Sequence, residues 1–145
     1  MSRAMGFTLL EMLISVTIIG MLVGVSAPVY ESFVRQNDLN LATQGIATMI
    51  QRAETYALGN NTDSVWSVEL LPASVILFQG TSFASRNTNY DETYPIPGSI
   101  TLSGLTEIQF AKLTALPNTT GAITLASTTL DTNTITLNAK GVVDY

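Results

Sequence analysis

Gly6-Phe7-Thr8-Leu9-Leu10-Glu11-Met12-Leu13-Ile14-Ser15-Val16-Thr17-Ile18-Ile19-Gly20-Met21-Leu22-Val23-Gly24-Val25-Ser26-Ala27-Pro28 decides how the rest of the chain is read. Between Arg3 and Glu31 the only charged residue is Glu11, and the nineteen residues from Met12 to Tyr30 carry no charge. As a helix rising ~1.5 Å per residue, they nearly cross a hydrocarbon core of roughly 30 Å. Arg3 precedes the block, which predicts a cytoplasmic N-terminus and a body sent outward. Gly20-x-x-x-Gly24 has two readings: a small-residue packing face for another membrane helix, or mere weak points in this one. Pro28 removes a backbone hydrogen bond, predicting a bend or break near Gly24.

An apolar block behind one basic residue also fits a secretory signal peptide, with Val25 and Ala27 as the small residues before a cut. That reading puts Pro28 just after the cut, a poor position for signal peptidase. It also leaves Glu11 unexplained, since a carboxylate inside a membrane helix costs on the order of 2.5–3.5 kcal/mol on insertion scales. A simple anchor gains nothing from such a charge.

Gly6-Phe7-Thr8-Leu9-Leu10-Glu11, behind a short basic leader and ahead of a membrane-length block, resembles the prepilin motif of type IV pilins and type II secretion pseudopilins. The resemblance implies a membrane peptidase that cuts between Gly6 and Phe7 and methylates the new Phe7 amine. It implies that Glu11 pairs with the N-terminal amine of a neighbouring subunit during assembly. A buried carboxylate, expensive alone, is tolerable beside an ammonium, so the pair favours one axial register. It also implies that Pro28 ends a segment that melts in the assembled filament, for which the Gly20–Pro28 stretch has suitably low helical propensity.

After Pro28 the pattern becomes amphipathic. Leu39, Ala42, Ile46, Met49, Ala53 and Tyr56 recur every three or four residues, with Ile50 and Ala57 widening the stripe. Gly59-Asn60-Asn61 is a stop signal. One long helix from Phe7 to Leu58, bent at Pro28, follows, its second half laid on a sheet; a coiled coil is the competing reading of the spacing. From Val65 the period switches to two. Runs at 65–70, 75–78, 99–102, 106–110, 122–125, 134–137 and 142–143 read as short antiparallel strands, with a turn at Pro72-Ala73-Ser74. Trp66 reads as a core residue against the helix, with a ligand platform as the alternative. Gly80 to Gly98 is poor in apolar residues and reads as a long connection. Its tyrosines either contact a partner or belong to a solvated loop.

The 145 residues suffice for one modest core. Only 12 % are charged, about half the usual share, and the shortfall lies in the N-terminal block. The net charge of −5, without Lys or Arg clusters, leaves no electrostatic footprint for direct nucleic-acid binding, a local patch around Arg86 aside. No Cys or His is present, removing disulfides, thiol chemistry and the commonest general base and metal ligand. Neither Asp91-Glu92 nor Asp131 with Asn133 has the spacing of a calcium loop. No phosphate-binding glycine loop occurs either. We therefore expect no catalytic residues, no metal and no cofactor.

Arg52-Ala53-Glu54-Thr55-Tyr56-Ala57, Trp66, Phe78-Gln79-Gly80, Ala84-Ser85-Arg86 and Gly121-Ala122-Ile123-Thr124 resemble the H-type minor pseudopilins and their pilus relatives. Many Gram-negative major pilins close a loop with a disulfide, which this sequence lacks. The expected fold is α+β, a long N-terminal helix on an antiparallel β-rich body. Its parts are a leader (1–6), a membrane and assembly half-helix (7–30), an amphipathic half-helix (31–58) and the body (59–145). The implied partners are other copies, other pilins, a prepilin peptidase, the inner-membrane assembly platform and, before assembly, the membrane. The expected location is the cytoplasmic membrane, then a surface filament. Competing readings are a secretion pseudopilin, an anchored β-rich domain that never polymerises, and a secreted domain.

Overall fold

The computed structural model of the chain describes residues 6–59, 64–128 and 131–145, with backbone alone at 25–28. The leader up to Met5 with Arg3, the Asn60-Asn61 part of the helix stop and the Pro28 side chain lie outside the described residues. One α-helix, α1, spans Leu9–Leu58. It starts two residues later than the sequence predicts, and its backbone stays helical through Pro28, so the helix does not break there. The chain divides into two units, Met1–Val34 and Arg35–Tyr145.

In the second unit, α1 buries Leu39, Ala42, Ile46, Met49, Ile50, Ala53 and Ala57. The three-and-four spacing therefore marks a face packed on sheet, not a coiled-coil seam. The strands are β1 (Trp66–Leu71), β2 (Ser74–Gln79), β3 (Asn87–Pro95), β4 (Ile100–Gly104), β5 (Glu107–Phe110), β6 (Gly121–Ser127), β7 (Thr132–Leu137) and β8 (Val143–Asp144). They form two antiparallel four-stranded sheets, ordered β3-β2-β1-β5 and β4-β6-β7-β8. The architecture is α+β. The helix face shares one core with Trp66, Val68, Leu77, Ile108 and Phe110 of the first sheet and Ile100, Ile123, Leu125, Ile135 and Leu137 of the second.

Strand β3 is the main departure from expectation, because the 80–98 stretch is not one long loop. A 3-10 turn at Phe83–Ser85 leads into a nine-residue strand that pairs with β2 at Asn87 and, past a register shift, from Glu92 to Pro95. As an edge strand whose side chains are mostly exposed or half-buried, β3 needs no apolar alternation, so its sequence looks like loop. Its tyrosines reach the core edge and the helix, though Tyr90 itself stays 42 % exposed. Tyr90 packs edge-on to Trp66, and Tyr94 Oη donates to the Leu41 carbonyl of α1 at 3.1 Å. Gly45 is the helix position that makes room, since a Cβ there would overlap the Tyr94 ring.

A second, smaller core lies on the other face of the first sheet. Phe83 stands edge-on to buried Phe78, and Arg86 stacks 3.7 Å above the Phe83 ring. Ser67 Oγ donates to the Gly80 carbonyl at 2.7 Å, holding the start of this cover. Elsewhere the loop after β5 closes the end of α1. The Leu113 N–H donates to the Ala57 carbonyl, with Leu113 and Ala115 at φ of 68° and 48°. These left-handed conformations are unusual for such residues and are held by the surrounding bonds. At the β7–β8 turn, Asn138 Oδ1 accepts from the Lys140 and Val142 N–H groups at 2.8 and 3.1 Å.

Glu69 and Glu107 sit directly opposite each other on β1 and β5. Partial burial first, and the neighbouring Glu107 charge second, raise the Glu69 pKa above its ordinary value. Its charged form is thus disfavoured by folding: its contribution is full below the ordinary carboxylate range and lost as pH rises through the raised pKa. Glu69→Gln is expected to stabilise the body by about 0.2–1 kcal/mol at neutral pH, the scale of a cross-strand pair. The gain should fade toward about pH 3; thermal unfolding across that range measures it. Gly45→Ala should destabilise by about 1 kcal/mol, overpacking against Tyr94 outweighing the gain in helix propensity. In a Tyr94→Leu background the same change should be neutral or stabilising, which a double-mutant cycle in urea would read.

Candidate functional site

The polar groups of the N-terminal segment gather at the start of α1. Gly6 and Phe7 precede the helix, and Phe7 is 78 % exposed. Thr8 occupies the cap position. Its Oγ1 accepts from the Glu11 N–H at 3.3 Å, and its carbonyl accepts from the Met12 N–H at 3.2 Å. An N-terminal turn leaves four backbone N–H groups without helical partners, and a Thr at this place satisfies one of them. Glu11 is then the third helical residue, where a carboxylate faces the positive end of the helix dipole. Thr8-x-x-Glu11 is a capping-box spacing that the sequence reading left unused.

Beyond Glu11 the helix offers only apolar surface for several turns. Leu13, Ile14, Val16, Ile18, Ile19, Met21, Leu22 and Val23 are all exposed. This stretch is long and apolar enough to cross a membrane, and none of it is buried by the rest of the chain. Ser15 and Thr17 do not spoil it, because their hydroxyls donate to the Glu11 and Leu13 carbonyls at 2.7 Å. Such back-bonding removes the penalty of a bare hydroxyl in lipid. Gly20 and Gly24 lie one turn apart on one helix face, with nothing within 4 Å of a Cβ at either.

The acids and bases singled out in the body turn out to hold the fold together. Arg86 pairs with Asp91 at 2.8 Å and donates to the Phe83 carbonyl at 2.7 Å, with both charged side chains largely buried. It is therefore a structural cation, paired and stacked within the fold. Glu92 accepts from Tyr56 at 3.0 Å and pairs with Arg52 at 2.7 Å. Asn133 Nδ2 donates to Asn40 and Thr43 of α1 at 3.2 and 3.1 Å, tying the second sheet to the helix. Trp66 is 2 % exposed and lies against Tyr56, so it is core, not a ligand platform. Among the described residues no three His, Cys, Asp or Glu side chains come together to hold a metal ion.

Residues 1–27 match the family described as the prokaryotic N-terminal methylation motif, the prepilin-type signature of type IV pilins and pseudopilins. The match covers the N-terminal segment and none of the body. No curated protein and no solved structure matches the chain significantly. The motif supports a prepilin-type substrate of a prepilin peptidase, a structural pilin-like protein. With the apolar helix, it supports a membrane-anchored precursor. Ile18→Asp, at the middle of the apolar stretch, should cost about 3–4 kcal/mol of insertion, the loss of Ile added to the burden of Asp. The fraction of unprocessed chain that resists carbonate extraction from membranes should fall accordingly.

Proposed function

We propose that the chain is a structural subunit of an extracellular filament of the type IV pilus kind. It is made as a single-pass precursor, cut between Gly6 and Phe7, and polymerised through its apolar N-terminal helix. The observation that carries this reading is a single acidic residue, Glu11, in the first turn of α1, followed by nineteen uncharged residues whose described side chains are exposed, in a segment that begins with the methylation motif. An anchor alone has no use for that carboxylate. A subunit whose neighbour presents an ammonium does, because the pair forms only at one axial offset between helices.

In this reading residues 1–6 are a leader, 7–30 the membrane and assembly half of the helix, 31–58 the half that carries the body, and 59–145 the body itself. Gly20 and Gly24 leave room for a neighbouring helix, and the stretch from Gly20 to Pro28 yields most readily when subunits rearrange. The partners are further copies of the chain, other pilins, the peptidase and an inner-membrane assembly platform. The acidic body, whose Arg86 is paired with Asp91, favours no direct contact with nucleic acid.

Two measurements test the reading. Intact-mass analysis of protein from cells with a prepilin peptidase should give a mature chain beginning at N-methylated Phe7. A chain beginning at Met1 or Pro28 would overturn the proposed processing. Glu11→Ala should then abolish filament assembly, scored by shearing and electron microscopy, while leaving membrane insertion equal or better. Normal filament levels with Glu11→Ala would show that the carboxylate does not set the register.

A further inference from the structure

We infer that Thr8 is a positioning residue for the processing reaction: its cap fixes where α1 begins, holding the Gly6–Phe7 peptide bond outside the helix and Glu11 one turn downstream. The inference rests on the cleavage site proposed above and adds a residue with a distinct role. Hydrolysis there adds one water across the Gly6–Phe7 amide, leaving a carboxyl on Gly6 and an amine on Phe7. The attacked carbonyl must be approachable, which a carbonyl within a helical turn is not.

Two bonds set the boundary. The Thr8 carbonyl closes the first helical turn through Met12 N–H, and the Thr8 hydroxyl occupies Glu11 N–H. A cap residue has non-helical backbone, so the chain before it leaves the helical path. The sequence upstream would otherwise extend the helix. Arg3, Ala4 and Met5 are good helix formers, and Ser2 is itself a cap type. A helix begun at Ser2 would put the Gly6–Phe7 bond inside its first turns. Only Gly6 opposes that extension by propensity, and Thr8 adds the stop. Once the leader is gone, Phe7 alone precedes the cap, so its new amine stays outside the helical hydrogen-bond ladder.

The test uses the full-length precursor in detergent with a prepilin peptidase. Leader release is followed by intact mass, and exchange of the residue-8 amide by NMR. Thr8→Val keeps the shape but removes the acceptor. It should slow cleavage about fivefold, the equilibrium factor of a typical lost cap, and should slow exchange of the residue-8 amide, which gains a helical partner only if the helix extends upstream. Thr8→Ser and Thr8→Asn, which differ in shape yet both cap, should restore cleavage rate and fast exchange together. Wild-type cleavage rates for Thr8→Val despite a protected residue-8 amide would overturn the inference and leave the cleavage site standing. So would slow cleavage of Thr8→Asn with that amide still exchanging fast, since the peptidase would then be reading the Thr8 side chain itself. Failure of the wild-type chain to be cut after Gly6 would instead remove the processing reading.

Discussion

The body of this protein depends on one face of one helix. Leu39, Ala42, Ile46, Ile50, Ala53 and Ala57 present a stripe on which both sheets close, and no other element contributes to the core at so many points. The small members of the stripe matter as much as the large ones. Alanines at 42, 53 and 57 and glycine at 45 let side chains such as Trp66 and Tyr94 lie close to the helix. Each fully buried large apolar side chain contributes about 1.5–3 kcal/mol, and the helix positions are shared by both sheets. Loosening that stripe would therefore weaken both sheets at once.

The polar contacts around the stripe set direction rather than supply most of the stability. Tyr94 to Leu41, Glu92 to Tyr56 and Arg52, and Asn133 to Asn40 and Thr43 each join a strand to a defined turn of the helix. A hydrogen bond of this sort is worth about 0.5–1.5 kcal/mol net, and an exposed ion pair about 0.2–1. Burial alone would tolerate sliding along an apolar groove. These side chains fix the offset.

Much of this was legible in the sequence, and the exceptions share a cause. Spacings of three and four name the buried helix residues, and alternation names seven of the strands to within two residues. Strand β3 is hidden because an edge strand, mostly exposed, has no core-facing pattern to reveal it. The role of Arg86 is hidden because its ring partner Phe83 and its acid Asp91 meet only when the 80–91 segment folds back on the sheet. Leu113 and Ala115 take left-handed backbone with nothing in their side chains to announce it; the closing bond to Ala57 lies more than fifty residues away in sequence. The Thr8-x-x-Glu11 spacing was readable, but it lies within the same residues that spell out the peptidase motif and the start of an apolar block, which are the louder signals.

The Asn138 turn has a wider consequence. With one amide oxygen it gathers two backbone N–H groups and sets β8 against β7, a closure made from ordinary hydrogen bonds in a sequence without cysteine. Hydrogen bonds form as the chain collapses, without an oxidant, an isomerase or a search among wrong pairings. Maturation of this body is accordingly indifferent to the thiol–disulfide balance of whatever compartment receives it, and a reducing environment leaves its closure intact.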